Sequence, residues 1–211
     1  MTDEILTIEE QFGRKALSYT HQFLQLCKTL DKTSHVLDLC CGYGRHALYL
    51  HEQGVRVSAC DNELSAIESI RALDIADSEL ETDICDMSEL PYSNATFDAV
   101  ICYSALHHQC LAKLKNTLAE VKRVCKKGAI FSFDILSRND DTCGIGTEIE
   151  PFTYIGGRTD EENVPHHYVD EAELRELLEG FKHIHIEEVT YKYVLNSQNM
   201  ASTAFCVNAK V

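Results

Sequence analysis

Five short apolar runs recur along the chain, at His35–Leu39, Val55–Cys60, Leu80–Ile84, Phe97–Cys102 and Ala129–Ile135. They read as strands apolar on both faces, which belong in a parallel sheet covered by helices on each side. Helical periodicity alternates with them. Ile8 to Leu30 reads as a helix, with Phe12, Leu17, Phe23, Leu24 and Leu26 in its apolar positions. From Leu111 to Cys125 one face collects Leu111, Leu114, Leu118, Val121 and Val124. Lys126-Lys127-Gly128 follows, with cations for the negative end of the helix dipole and a glycine suited to the position just beyond it. Asp170-Glu-Ala-Glu173 opens another helix, whose stripe of Leu174, Leu177, Leu178 and Phe181 is closed by Gly180. Lys182–Tyr193 and Ala201–Ala209 alternate like the strands of a hairpin at a sheet edge. The pattern predicts an α/β fold: a doubly wound sheet of about seven strands, mostly parallel, with an antiparallel C-terminal element and helices on both faces.

The 211 residues fit one domain, with 1–32 as an N-terminal helical cap and 137–169 as an insertion. A connection as long as Ser137 to Val169, rich in Gly, Asp and Thr, is usually functional or mobile and reads as a substrate lid. It carries Asp140, Asp141, Glu148, Glu150, Asp160, Glu161 and Glu162, with Asp170 beyond, against Arg138 and Arg158. That balance predicts repulsion of polyanionic acceptors and tolerance of neutral or cationic ones. A net charge of −15 also opposes a nucleic-acid partner. The ten cysteines include no Cys-x-x-Cys pair. Cys40, Cys60, Cys102 and Cys206 sit in strand-like segments, where a thiol packs as a small hydrophobe in a reducing compartment. Adjacent Cys40 and Cys41 are expected on opposite faces. No apolar run approaches membrane-spanning length, and Met1-Thr-Asp-Glu opens no signal-type stretch, so the expected location is the cytoplasm.

The candidate chemistry begins at His35-Val-Leu-Asp38-Leu-Cys-Cys-Gly42-Tyr-Gly44-Arg-His-Ala47. A strand, a glycine turn and a helix start expose free N–H groups and let a small molecule approach the backbone. By spacing, Gly42, Gly44 and Ala47 with Asp61 downstream fit a dinucleotide fingerprint. The Asp38 carboxylate argues against it, since a diphosphate beside it costs on the order of several kcal/mol. A ligand with an ammonium group and no phosphate is attracted instead, and S-adenosylmethionine is one. Asp61, followed by Asn62, either accepts from both ribose hydroxyls or caps the helix after it.

Val36-Leu-Asp38-Leu-x-Cys41-Gly42-x-Gly44-Arg45 resembles the first motif of class I S-adenosylmethionine-dependent methyltransferases. The continuation through Gly54-Val-Arg-Val-Ser-Ala-Cys-Asp61 looks most like the small tellurite-resistance-type and related small-molecule members. Leu90-Pro-Tyr-Ser-Asn-Ala-Thr-Phe97-Asp98 resembles the family's fourth motif. The resemblance runs specifically from Val36 to Phe133 and more loosely to the C-terminus. It implies a Rossmann-like fold and S-adenosyl-L-methionine as cofactor, with S-adenosyl-L-homocysteine as product. Asp38, Cys40, Gly42, Gly44, Arg45, Asp61 and Asn62 then belong to the cofactor site. Asp86 would meet the adenine amino group and the Met87 N–H a ring nitrogen. Tyr103 offers either a ring face to the sulfonium or a core aromatic whose hydroxyl reaches solvent. Arg14 and Tyr19 of the N-terminal helix are within reach of the same ligand.

Methyl transfer needs the nucleophile held in line with the methyl group, and a base only if that atom carries a proton. Candidate acceptor contacts are His107, His108, Tyr19, Tyr154, His166 and His167. His107-His108 are either a wall of the site or surface residues of the helix that starts there. No third and fourth ligand follows at metal-binding spacing, so no metal is expected. The leading reading is a small-molecule methyltransferase, with a tRNA nucleoside methyltransferase and a non-catalytic binding domain as alternatives. A nicotinamide oxidoreductase is rejected because of Asp38 and because no second domain remains for a hydride acceptor.

Overall fold

In the computed structural model, residues 19–73, 80–158, 161–195 and 198–211 are described. The strands are β1 (His35–Leu39), β2 (Arg56–Asp61), β3 (Leu80–Ile84), β4 (Phe97–Cys102), β5 (Cys125–Leu136), β6 (Thr147–Glu150), β7 (Thr153–Ile155), β8 (His166–His167), β9 (Lys182–Leu195) and β10 (Gln198–Lys210). The helices are α1 (His21–Cys27), α2 (Arg45–Glu52), α3 (Leu64–Arg71), α4 (Leu111–Val124) and α5 (Glu171–Leu177). Seven strands form the main sheet in the order β3-β2-β1-β4-β5-β10-β9. The first five are parallel, and β10 runs antiparallel between β5 and β9. This is the predicted doubly wound α/β sheet with its C-terminal hairpin at one edge. Strand order reverses between β1 and β4, so a crevice opens beyond their carboxyl ends.

Alternation along the strands builds two dry layers. β1 sends Val36 to one face and Leu37 and Leu39 to the other, while β4 sends Ala99 and Ile101 with Val36 and Val100 and Cys102 with Leu37. Phe23, Leu26, Ala47, Leu50, Ile67 and Ile70 of α1, α2 and α3 cover the first face, and Leu114, Leu118, Val121, Leu174 and Leu178 of α4 and α5 the second. Each fully buried side chain of this size contributes about 1.5–3 kcal/mol. Cys40 and Cys41 lie against opposite layers, as expected, and all ten cysteines are free.

Several elements differ from the pattern. β3 is only partly buried because it is the sheet's edge, and Ile84 is 49% exposed. Leu24 faces outward on α1. Of the long N-terminal helix, the described part is His21–Cys27 capped by Thr20, while Phe12 and Leu17 lie outside the described residues. α4 does not end on a glycine: Cys125 is already extended, and Lys126-Lys127-Gly128 lies within β5. Its last-turn cations are Lys122 and Arg123, the latter holding the Leu90 and Tyr92 carbonyls at 2.9 and 2.6 Å.

The 137–169 insertion, read from sequence as a lid, is not a bare loop. Strands β6, β7 and β8 form their own antiparallel sheet. Both lid ends meet at one place: Ser137 bridges Val169, Arg138 N–H donates to the Val169 carbonyl at 2.9 Å, and Val169 N–H to the Leu136 carbonyl at 3.0 Å. Several of the acids here tie the insertion to the elements around it. Asp140 accepts from Ser202 Oγ at 3.0 Å and Thr203 N at 2.6 Å, and Glu150 from Leu111 N at 2.5 Å. Asp170 caps α5 and pairs with Arg138. Asp160 lies outside the described residues. Among those described, no helix is long and apolar enough to cross a membrane.

Candidate active site

After Leu39 the chain turns through three residues of positive φ, Cys40 (57°), Gly42 (51°) and Gly44 (83°). A Cβ on Gly42 would meet nothing within 4 Å, whereas one on Gly44 would lie 2.9 Å from Ile70 Cδ1. Gly42 therefore presents an open backbone to the crevice, and Gly44 seats α2 on α3. Gly44 is also the N-cap of α2 and has no side chain to satisfy the first amides. Asp38 supplies the acceptor from the end of β1, with Oδ2 2.8 Å from Ala47 N. Its carboxylate, 2% exposed, lies beneath the turn, and burial pushes its pKa up to about 7.

That shift predicts a pH dependence. Below about pH 4 both folded and unfolded chains hold the proton. Between there and about pH 7 only the unfolded chain releases it, so stability falls as pH rises, by ~4 kcal/mol in all. Asp38→Asn keeps an oxygen for Ala47 but carries no charge. In urea titrations its stability relative to wild type is expected to improve steadily from pH 4 to pH 8. A pH-independent difference would remove the buried-charge account.

Asp61, at the end of β2, fills the capping role and also braces the turn. Its Oδ2 accepts from Gly42 N at 2.8 Å and its Oδ1 from Glu63 N at 2.9 Å, while the neighbouring Asn62 is exposed. Beyond β3, Asp86 Oδ1 accepts from the Ser88 amide at 2.8 Å and hydroxyl at 2.7 Å. Those Ser88 bonds hold its carboxyl below the usual range, and Lys113 approaches Oδ2 at 3.1 Å. Met87 packs inward, its Sδ 3.6 Å from Cys40 Sγ. Hydrogen bonding with Cys102 and burial push the Cys40 thiol far up, leaving it protonated.

A cavity of about 580 Å³ lies beyond the carboxyl ends of β4 and β5. Arg45 and Tyr103 form one wall. The Tyr103 hydroxyl does not reach solvent. It shares a 2.6 Å hydrogen bond with Ser132, and its ring stacks on His46 at 4.8 Å. Tyr19 lies over the Arg45 guanidinium at 5.7 Å, and Arg45 Nη1 is buried without a hydrogen-bond partner. Arg14 falls outside the described residues. Sequence reasoning passed over Asp134, an acid inside an apolar strand that lines this cavity and accepts from Ser104 N at 2.6 Å. Burial pushes its pKa up to about 6.

His107 and His108 precede α4, turn into the molecule and line the same cavity, so they are not surface residues of that helix. Burial pushes His107 far down and His108 to about 4, which keeps both rings neutral. His166 enters from β8, its ring centroid 5.7 Å from His107 and 4.8 Å from His108. His166 thus stands beside the pair as a third imidazole that sequence spacing did not reveal, with one potential donor atom from each of His107, His108 and His166 within 4.8 Å of the others. His167 and Tyr154 are not brought to the cavity. Alternation in β8 turns His167 away, its Nδ1 2.7 Å from Thr153 Oγ1 and its Nε2 3.5 Å from Glu173. Tyr154 donates to Glu148 at 3.3 Å on the exposed side of the lid.

Residues 36–128 match a family model described as a methyltransferase domain. The malonyl-[acyl-carrier protein] O-methyltransferase of Pectobacterium atrosepticum is 31% identical over 140 residues, covering 62% of this chain and 53% of that protein. The matches to such curated relatives span about half of the relatives' length. Among solved structures, TehB from Haemophilus influenzae superimposes with a TM-score of 0.71 at 14% identity, covering 96% of this chain and 65% of that one. The Burkholderia thailandensis 1,6-didemethyltoxoflavin-N1-methyltransferase, with 1,6-didemethyltoxoflavin and S-adenosylhomocysteine bound, gives 0.65 at 22% identity, covering 90% and 76%. Residues 36–128 are thus similar in sequence to a methyltransferase domain, and the chain shares the fold of these solved methyltransferase structures.

Proposed function

We propose that the chain transfers a methyl group from S-adenosylmethionine to a small molecule held in the 580 Å³ cavity. The observation that carries this reading is an open Gly42 turn followed by Arg45, which lines a cavity of small-molecule size beyond the neighbouring strand ends. The residues fit the cofactor. Gly42 leaves room for close approach, Asp61 is placed for the ribose hydroxyls, and Asp86 with Met87 lies at the next strand end for adenine. Arg45 Nη1, orphaned in the cavity wall, suits the carboxylate of the methionine portion. When bound, the cofactor supplies a methyl group already activated on a sulfonium.

The chain's own task is to orient the acceptor, exclude water and hold a proton where one must leave. Tyr19 and the β9–β10 hairpin line the cavity and cover part of its mouth against water. For an acceptor whose nucleophilic atom carries a proton, Asp134 and neutral His107 face the space from which it departs. The wall sets Arg45, Arg158 and Lys192 against Asp134, Glu161 and Glu187. That balance favours a neutral polar acceptor over a polyanion.

Calorimetry with S-adenosylhomocysteine is expected to show one site per chain with micromolar affinity. No heat from either the cofactor or its demethylated product would end this reading. With binding in hand, transfer of labelled methyl into a fractionated small-molecule extract identifies the acceptor.

A further inference from the structure

We propose that His107, His108 and His166 form a binding site for a divalent transition-metal ion such as Zn²⁺, at the wall of the acceptor cavity and backed by Glu161. One potential donor atom from each of the three rings lies within 4.8 Å of the others. Tetrahedral zinc at 2.0–2.1 Å from nitrogen separates its ligands by about 3.3 Å, so modest side-chain rotation closes the set. Two unpaired demands sit in the cluster. His107 Nδ1 is buried with no hydrogen-bond partner. His166 Nδ1 is 2.9 Å from the Val164 carbonyl and its Nε2 2.9 Å from Glu161 Oε2. A neutral ring carries one N–H, so one of those contacts sets a lone pair against an oxygen acceptor. A cation coordinated there removes the conflict, as a second ring proton would.

Glu161 also lies 3.5 Å from His108 Nε2, placing a carboxylate across two of the rings. Three imidazoles and a carboxylate suit zinc and its neighbours rather than magnesium or calcium. Arg158, 3.5 Å from Glu161, brings a competing positive charge, but its Nη1 lies 3.4 Å from the fully buried Asp140 carboxylate, which offsets that charge. His107, His108 and Glu161 all line the cavity, so an ion held there faces the acceptor. Metal binding stands apart from methyl transfer. Its use, gripping a lone-pair atom of the acceptor, rests on the proposed function.

Chelator-stripped protein titrated with Co²⁺ reads the ligand set. One ion per chain is expected, displaced by Zn²⁺, with visible tetrahedral bands and no thiolate charge-transfer band despite the ten cysteines. His166→Ala and His108→Ala should each weaken binding by at least about tenfold, the lower bound for losing even an outer partner of a ligand. His185→Ala, exposed on β9, should not. Unchanged thermal unfolding certifies each variant, and His166→Gln replaces any that fails to fold. A thiolate band, binding retained within threefold in both variants, or no stoichiometric binding overturns the proposal. Stoichiometric cobalt without S-adenosylhomocysteine heat would retire the proposed function and keep the metal site, and the opposite pair of results would do the reverse.

Discussion

Replacing Asp61 with alanine is expected to weaken S-adenosylhomocysteine binding by roughly 150-fold. The carboxylate ties Gly42 N and Glu63 N at once, so it fixes both the open turn and the start of α3. Its remaining acceptor capacity is what a ribose would use. Two charge-assisted hydrogen bonds at the low end of their range are worth about 3 kcal/mol together. Asp61→Asn keeps one oxygen and loses the charge, so its loss should fall between wild type and alanine. Calorimetry decides: a loss under about threefold for alanine would leave Asp61 as a helix cap alone.

Asp140→Ala is expected to lower the unfolding temperature by about 10 °C while leaving S-adenosylhomocysteine affinity within about threefold. The Asp140 side chain is fully buried and binds Ser202 and Thr203 of β10, Thr142 of the lid, and Arg158. Removing a buried partner of this kind costs about 3–5 kcal/mol, because the groups it satisfied stay buried. The Gly42 turn lies on other strand ends and should not register the change. Differential scanning calorimetry checks it, and a shift under about 2 °C would show that this carboxylate does not tie the lid to the sheet.

Strands hidden on both faces were legible in the sequence almost to the residue. His35–Leu39 and Phe97–Cys102 are continuous apolar runs in the middle of the sheet, bounded by polar turns. β3 kept its limits while its half-exposed edge position stayed hidden, since burial depends on which neighbours the topology supplies. The turn after β1 was legible because positive φ at Gly42 and Gly44 restricts the residue types that fit. The role of Asp38 was not, because the amide it caps belongs to a helix whose own N-cap is a glycine. The histidine cluster was hidden for a similar reason. His166 reaches His107 and His108 only once β8 docks against the loop before α4, with His167 N–H donating to the His107 carbonyl at 2.9 Å. Asp134 was missed because an acid in a strand as apolar as β5 reads as part of the core.

Because Ser137 and Val169 lie side by side, the lid leaves the sheet and rejoins it at a single doorway. Excision of everything between them would leave its two ends adjacent but would remove the Asp140 bonds to Ser202 and Thr203 of β10 and the Glu150 bond to Leu111 N. Under the proposed function, an exchange there alters the acceptor side of the cavity and spares the Gly42 turn. A chimera carrying a foreign insert at that doorway has to restore those ties.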